Sequence, residues 1–255
     1  MVQPWQTGKV IRIENETSST RRFWIQLPSL DSFEFKPGQF VTIDLPIHEK
    51  PNKRWRSYSI ASWPDGSNIF ELVIVLLEGG AGTHYLFNKV NVGSELTLRG
   101  PQGVFVLPEK IDRDLFFVCT GTGVAPFRSM AHHILNHAIP HQDIYLIFGC
   151  RKLEDCLYKT ELEQLAEKLP SFHYIPTFSR EVAEGANHSI RTGYVHPIYE
   201  EICRDNSKAT SADQKPELKP ASFYLCGWKN MIDEAKYRIQ AIGYDKKSIH
   251  QELYG

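Results

Sequence analysis

The chain has 255 residues, 42% hydrophobic and 23% charged, with a formal net charge of -1. That length suits two domains of ordinary size or one large one. Its soluble, near-neutral composition excludes a general pull toward nucleic acid or an acidic membrane, so a site for a charged partner must be a local patch.

The opening MVQPWQTGKV lacks the basic and apolar blocks of a secretory signal, and no apolar run approaches membrane-spanning length. A cytoplasmic protein with no membrane insertion is expected. From residue 8 to about residue 103 short β-rich runs follow one another: TGKVIRIENE, TRRFWIQLP, GQFVTIDLP, WRSYSIAS, IFELVIVLLE and SELTLRG, separated by Pro, Gly, Asn and Asp. Such spacing predicts a small antiparallel barrel. One helix, THYLFNKV, follows the glycines Gly79, Gly80 and Gly82, which can form a turn feeding a helix N-terminus.

In WRSYSIAS strict alternation puts Arg56, Tyr58 and Ile60 on one face and Ser57, Ser59 and Ala61 on the other. One flat ligand cannot use both faces of a regular strand. Either this strand ends or bends near Tyr58, or the serines only hydrogen-bond locally.

The polar LPEKIDRD connector marks a boundary, giving domains 1–108 and 109–255. Beyond it strands alternate with helices, from LFFVCT and FRSMAHHILNHA to SFYLCG and MIDEAKYRIQAIG. That alternation predicts a doubly wound α/β domain with a parallel sheet. Phe127, Met130, Ala131, Ile134 and Leu135 fall at helical spacing, as do Tyr158, Leu162, Leu165, Ala166 and Leu169. Polar opposite faces are expected for both helices. Residues 206–220 contain almost nothing to bury and read as a long exposed loop.

In FFVCTGTGVAPF an apolar strand ends at Thr120, glycines occupy 121 and 123, and Pro126 opens a helix. Backbone N–H groups and the positive helix end then point outward, which suits a pyrophosphate. A tight turn with Pro at the helix start is the ordinary alternative, and the position after the first strand of an α/β domain favours the phosphate. Ser179 and Arg180 follow the third strand of that domain, where the adenosine side of a dinucleotide falls. An arginine fork suits a phosphate, whereas an acidic residue there would favour a ribose hydroxyl, so the pair points to NADP. Cys226 and Gly227 end the last major strand, at the ligand-binding edge of an open sheet, and no His or Lys beside Cys226 marks it as a thiolate nucleophile. The five cysteines, Cys119, Cys150, Cys156, Cys203 and Cys226, contain no CxxC pair, so neither a metal site nor a disulfide framework is expected.

In order, RSYSIAS, GPQGVF, GTGVAPFRSM, GCRKLEDCLY, FSRE, CGWKNM and the late ELY resemble the motifs of the ferredoxin-NADP reductase family of flavoproteins. The resemblance runs from about residue 8 to the end and implies two domains, an FAD-binding antiparallel β-barrel followed by an NADP-binding α/β domain. It implies that Arg56 contacts the flavin diphosphate, Tyr58 packs on the isoalloxazine and Ser59 hydrogen-bonds near N5. Gly80, Gly82 and Thr83 resemble the second phosphate loop. Thr120, Gly121, Gly123 and Pro126 match the pyrophosphate site of the nicotinamide nucleotide, Ser179 and Arg180 its 2'-phosphate clamp, and Arg191 and Tyr194 the adenine side. Cys226, with Gly227, matches the cysteine beside the nicotinamide. Glu252 and Tyr254 match the acidic residue and terminal aromatic of plant-type members, with one departure: Gly255 follows the tyrosine, so the carboxylate is displaced.

The implied activity is hydride transfer between NADP(H) and FAD, with single electrons passed to or from ferredoxin or flavodoxin. A reductase component of an oxygenase and an electron-transfer subunit without independent turnover stay open, as does FAD against FMN on the residues alone. Leu76 and Leu77 in VLLEGG stand where many relatives carry a basic residue.

Overall fold

The computed structural model describes residues 3–181, 190–207 and 217–254. Most of the 206–220 loop, and Gly255, therefore lie outside the described residues. The chain divides into two compact units, the first Met1–Leu107 with Ala125–His137, the second Pro108–Val124 with Ala138–Gly255.

The first unit holds strands β1 (Gln6–Asn15), β2 (Thr20–Gln26), β3 (Phe40–Asp44), β4 (Trp55–Ser59), β5 (Ile69–Val75) and β6 (Glu95–Gln102) with helix α1 (Ala81–Asn88). They form an antiparallel sheet in the order β4-β3-β6-β1-β2-β5. Its two ends meet beyond Ser59, where the Ala61 amide donates to the Glu71 carbonyl at 2.8 Å, so the sheet curls into a barrel. Alternation drives the closure: Val10, Phe23, Ile25, Val41, Ile43, Phe70, Leu72 and Leu98 turn to one side and are buried.

Helix α2 (Ala125–Asn136) belongs to this first unit by its contacts. It departs from the expected amphipathic helix, because every residue from Ala125 to Ala131 is buried, Arg128 and Ser129 included. The buried arginine is held by an ion-pair network. Arg128 Nη1 donates to the Ala61 carbonyl at 2.8 Å and to Glu71 Oε2 at 3.1 Å. Arg22 grips the same carboxylate through both oxygens, at 2.6 and 3.1 Å. Trp63 lies beneath the Arg128 guanidinium, its ring stacked on His132 at 3.9 Å between centroids.

The second unit is a parallel sheet of β7 (Asp114–Thr120), β8 (Ile144–Cys150), β9 (Phe172–Phe178), β10 (Arg191–Thr192), β11 (Ala221–Gly227) and β12 (Ile249–Leu253), ordered β10-β9-β8-β7-β11-β12. Helices α3 (Lys159–Lys168), α4 (Val195–Asp205) and α5 (Lys229–Ile242) complete it. Phe116, Val118, Ile147, Phe223 and Leu225 pack under α4 and α5 through Ile198, Tyr199, Ile232 and Ile239. The alternate strand residues Leu115, Phe117, Leu146 and Phe148 are just as buried, so both faces are covered.

One sequence expectation needs correcting here, and one element was not foreseen. Tyr158 is not part of α3 but precedes it in the left-handed region at φ 54°, and it is buried. The late segment adds a strand, β12, which pairs in register with β11 from Phe223↔Ile249 to Gly227↔Leu253. Among the described residues no helix is long and apolar enough to cross a membrane.

Candidate functional site

In the first unit, Arg56, Tyr58 and α1 come together. Ladder pairs Ile43↔Arg56 and Val41↔Tyr58 put Arg56 and Tyr58 on the side of the buried Val41 and Ile43, at the barrel rim. The Arg56 side chain crosses the first turn of α1. A Cβ on Gly82 would sit 3.0 Å from its Cγ and 3.1 Å from its Nε, which explains the glycine. A guanidinium and a helix N-terminus so arranged form a cradle for a diphosphate, and these residues fit that part of FAD. Gly80 occupies the cap position of α1 with no side-chain cap. The Thr83 hydroxyl donates to the Gly80 carbonyl at 3.0 Å and accepts from the Leu77 amide at 3.1 Å. It shapes the loop, leaving the helix amides to face a ligand.

Tyr58 is half-buried beside the barrel core, and that burial pushes its phenol up to about 12 against the opposing charge of Arg56. Its ring is therefore a neutral, apolar face with a hydroxyl tip at ordinary pH. The expected departure of the strand near Tyr58 comes one residue later. β4 stays paired through Phe40↔Ser59, after which the Ile60 amide continues to the Gln39 carbonyl. Alternation thus holds at Tyr58 and Ser59, whose side chains leave the strand on opposite faces, Ser59 being buried.

In the second unit, the strand order reverses between β7 and β11, and the carboxyl ends of those strands are Thr120 and Gly227. Crevices at such a reversal take dinucleotides. The turn Gly121–Val124 sits tightly on the end of β11: a Cβ on Gly123 would lie 2.4 Å from the Cys226 carbonyl oxygen. Gly227 has φ 149°, and a Cβ there would lie 2.5 Å from Thr120 Oγ1. That Oγ1 is itself buried without a hydrogen-bond partner. An orphaned hydroxyl beside bare glycine backbone at the switch point fits a nicotinamide dinucleotide. Pro126 is buried as the second residue of α2.

Pairing of β9 with β10 (Arg191↔Thr177, Thr192↔Phe178) brings Arg191 beside the end of the strand whose following loop carries Ser179 and Arg180. The Ser179 amide donates to the Cys150 carbonyl at 3.0 Å and the Arg180 amide to the Arg151 carbonyl at 2.9 Å. Arg180 itself is exposed, as is Tyr194, at 72%. Arg191 is taken up by an ion pair with Glu201 of α4, a partner that sequence spacing alone did not reveal. Arg151, which the motif reading passed over, joins the cluster through that backbone bond to Arg180.

Cys226, Glu252 and Tyr254 meet at the edge formed by β11 and β12. Cys226 pairs across the ladder with Glu252, and the Tyr254 amide donates to the Gly227 carbonyl at 3.0 Å. Burial first, then the charge of Glu252, push the Cys226 thiol up, and the neighbouring Tyr254 hydroxyl pulls the other way. The thiol is neutral and unsuited to covalent catalysis. At about pH 8, iodoacetamide is expected to leave Cys226 untouched in the folded protein and to alkylate it after denaturation. Peptide mass analysis checks this, and labelling of the native thiol would contradict it.

The oxidoreductase FAD-binding domain family matches residues 7–107 and the oxidoreductase NAD-binding domain family residues 117–237. The chain is 36% identical over 225 residues to ferredoxin--NADP reductase B of Sorangium cellulosum, covering 88% of this chain and 86% of that protein. It is 30% identical over 255 residues to the phenol hydroxylase P5 protein of Acinetobacter pittii, covering all of this chain and 66% of that one. A ferredoxin NADP+ reductase from Neisseria gonorrhoeae, solved with bound FAD and NADP, superposes with a TM-score of 0.77 at 25% identity, covering 98% of each chain. With a barrel, a parallel sheet and both nucleotide cradles in hand, the chain belongs to the ferredoxin-NADP reductase family, as a flavin oxidoreductase that uses FAD and NAD(P) for electron transfer.

Proposed function

We propose that this protein is a cytoplasmic NADPH-dependent reductase that exchanges electrons with ferredoxin or flavodoxin, residues 1–108 serving the flavin and 109–255 the nicotinamide nucleotide. The carrying observation is the arginine cluster after β9. Arg180 is exposed beside Ser179, with Arg151 joined to it through the backbone and Arg191 on the neighbouring strand β10, while the carboxylate of the next residue, Glu181, is engaged by the Leu153 amide at 2.7 Å. Such a cluster recognises the 2'-phosphate that distinguishes NADP from NAD.

FAD, when bound, takes up a hydride as a pair of electrons and gives the electrons up singly. The chain's own part is binding and alignment. Arg56 and the α1 N-terminus hold the diphosphate, and the neutral Tyr58 ring offers a stacking face. Ser59 is the last residue of β4, and it supplies its hydrogen bond from the end of the strand, not from the face that Tyr58 occupies. Thr120, Gly121 and Gly123 receive the pyrophosphate of the nucleotide. Cys226 gives the nicotinamide a dry, uncharged floor, while Glu252, its ladder partner, offers a carboxylate for a proton. Tyr254, the last described residue, covers that floor and moves aside when the nicotinamide enters.

Arg180→Ala is expected to lower kcat/KM for NADPH by about 10- to 100-fold, the worth of a charge-assisted contact, and to leave NADH nearly unchanged. Steady-state ferricyanide reduction with both nucleotides measures it. Equal use of NADH and NADPH by the wild type would overturn the NADP reading. A second reading, a reductase serving an oxygenase, draws support from the phenol hydroxylase P5 likeness, in which this chain spans 66% of the relative. Turnover with purified ferredoxin and flavodoxin separates the two.

A further inference from the structure

The ion-pair network of the first unit converges on the exit of the strand that carries Tyr58 and Ser59. Both backbone groups of Ala61 are committed: its amide donates to the Glu71 carbonyl at 2.8 Å and its carbonyl accepts from Arg128 Nη1 at 2.8 Å. The Glu71 amide donates to Ser62 Oγ at 2.9 Å. Ala61 and Ser62 are thus gripped from both sides, two and three residues beyond Ser59. Glu71 and Arg128 are almost wholly enclosed, their side chains 3% and 5% exposed. Hydrogen bonds between such desolvated, charged groups keep fixed directions.

Stability alone does not account for the arrangement. A buried ion pair is often no more stabilising than apolar side chains of the same volume. What the charges add is geometry, because the Arg128 guanidinium serves a backbone carbonyl and a carboxylate from one nitrogen. The nitrogen that sets Ala61 is thereby set by Glu71, which Arg22 fixes in turn.

We propose that Arg128 is a positioning residue for hydride transfer: through the Ala61 carbonyl it fixes the exit of β4, and with it the disposition of Tyr58 and Ser59 toward the flavin. The proposal rests on the flavin-seat reading of those two residues. Small displacements at a reacting centre carry large rate penalties, so its signature is a loss in kcat with little change in KM.

Arg128→Lys is the informative variant. Lysine keeps the positive charge for Glu71, but its stem is one bond shorter and ends in a compact ammonium without the planar fork. Its turnover number for NADPH-driven ferricyanide reduction is expected to fall at least threefold, with KM for NADPH within twofold and thermal midpoint near wild type. Backbone hydrogen exchange in a peptide spanning residues 59–62 is expected to quicken, a readout that needs no catalysis. Arg128→Met should lose about tenfold in kcat and lower the thermal midpoint as well. An Arg128→Lys protein with wild-type kcat overturns the proposal, as does a loss confined to KM. If wild-type protein neither retains FAD nor oxidises NADPH, the functional reading itself falls instead.

Discussion

Gly123→Ala is expected to cut NADPH-driven turnover by about 100-fold while leaving bound FAD in place, because the new methyl has nowhere to go. Its Cβ would lie 2.4 Å from the Cys226 carbonyl oxygen and 2.8 Å from the carbonyl carbon. Both are backbone atoms of a central strand, so no rotamer change relieves the contact. The turn must retreat by about 1 Å to reach ordinary van der Waals separation, and a shift of that size at a nucleotide-binding turn costs on the order of 100-fold in rate. Gly121, on the same pyrophosphate turn, gives the comparison without crowding against β11. It has φ 54° and open space around its Cβ, so within the protein Gly121→Ala adds left-handed backbone strain of about 1–2 kcal/mol and acts on turnover through that strain and the approach of the pyrophosphate. Comparing flavin content, NADP affinity and turnover for the two variants checks the argument; equal activities would show that the turn does not need its close approach to β11.

Glu71→Ala should be the most destabilising substitution of a charged side chain in the first unit. It takes from Arg128, 5% exposed, and Arg22, 19% exposed, the carboxylate they share, leaving Arg22 its longer contact with Glu16 at 3.4 Å. Removing one partner of a buried ion pair costs about 3–5 kcal/mol. Against a total stability of about 5–15 kcal/mol that is a large share, and it corresponds to a fall in thermal midpoint of roughly 10 °C. Calorimetry on the holoprotein measures it, and a shift below about 2 °C would refute the burial argument. The triple substitution Arg22→Met, Glu71→Leu, Arg128→Met removes all three charges together. It should regain much of the midpoint and none of the turnover, which sets apart what the network does for stability from what it does for alignment.

Much of this was legible in the sequence, wherever the signal was local. Period-two runs such as TRRFWIQ and IFELVIV announced barrel strands. The change to strand and helix alternation after residue 108 announced the parallel sheet. Thr120, Gly121 and Gly123 stood out because a strand, a glycine turn and a helix follow one another within a few residues. The network around Arg128 was not legible, since its carboxylate lies 57 residues earlier in the chain and an arginine in FRSMAHH looks like part of a wet helix face. Tyr158 misled for a related reason, because an aromatic at helical spacing reads as core while the φ of 54° that excludes it from the helix leaves no compositional trace. Strand β12 was missed because IHQEL is polar, and at the sheet's edge its backbone pairing with β11 counts for more than its side chains.

The interleaving of the two units along the chain bears on how such enzymes can be recombined. The polypeptide leaves the first unit at Leu107, returns to it for Ala125–His137, and leaves again. A chimera spliced once, near residue 108, would take the barrel from one parent and helix α2 from the other, matching Glu71 and Ala61 to a foreign residue at the Arg128 position. Exchanging the barrel intact requires two further crossovers, one on each side of that helix. In this architecture the unit of inheritance is discontinuous, and a linear cut between nucleotide domains separates side chains that work together.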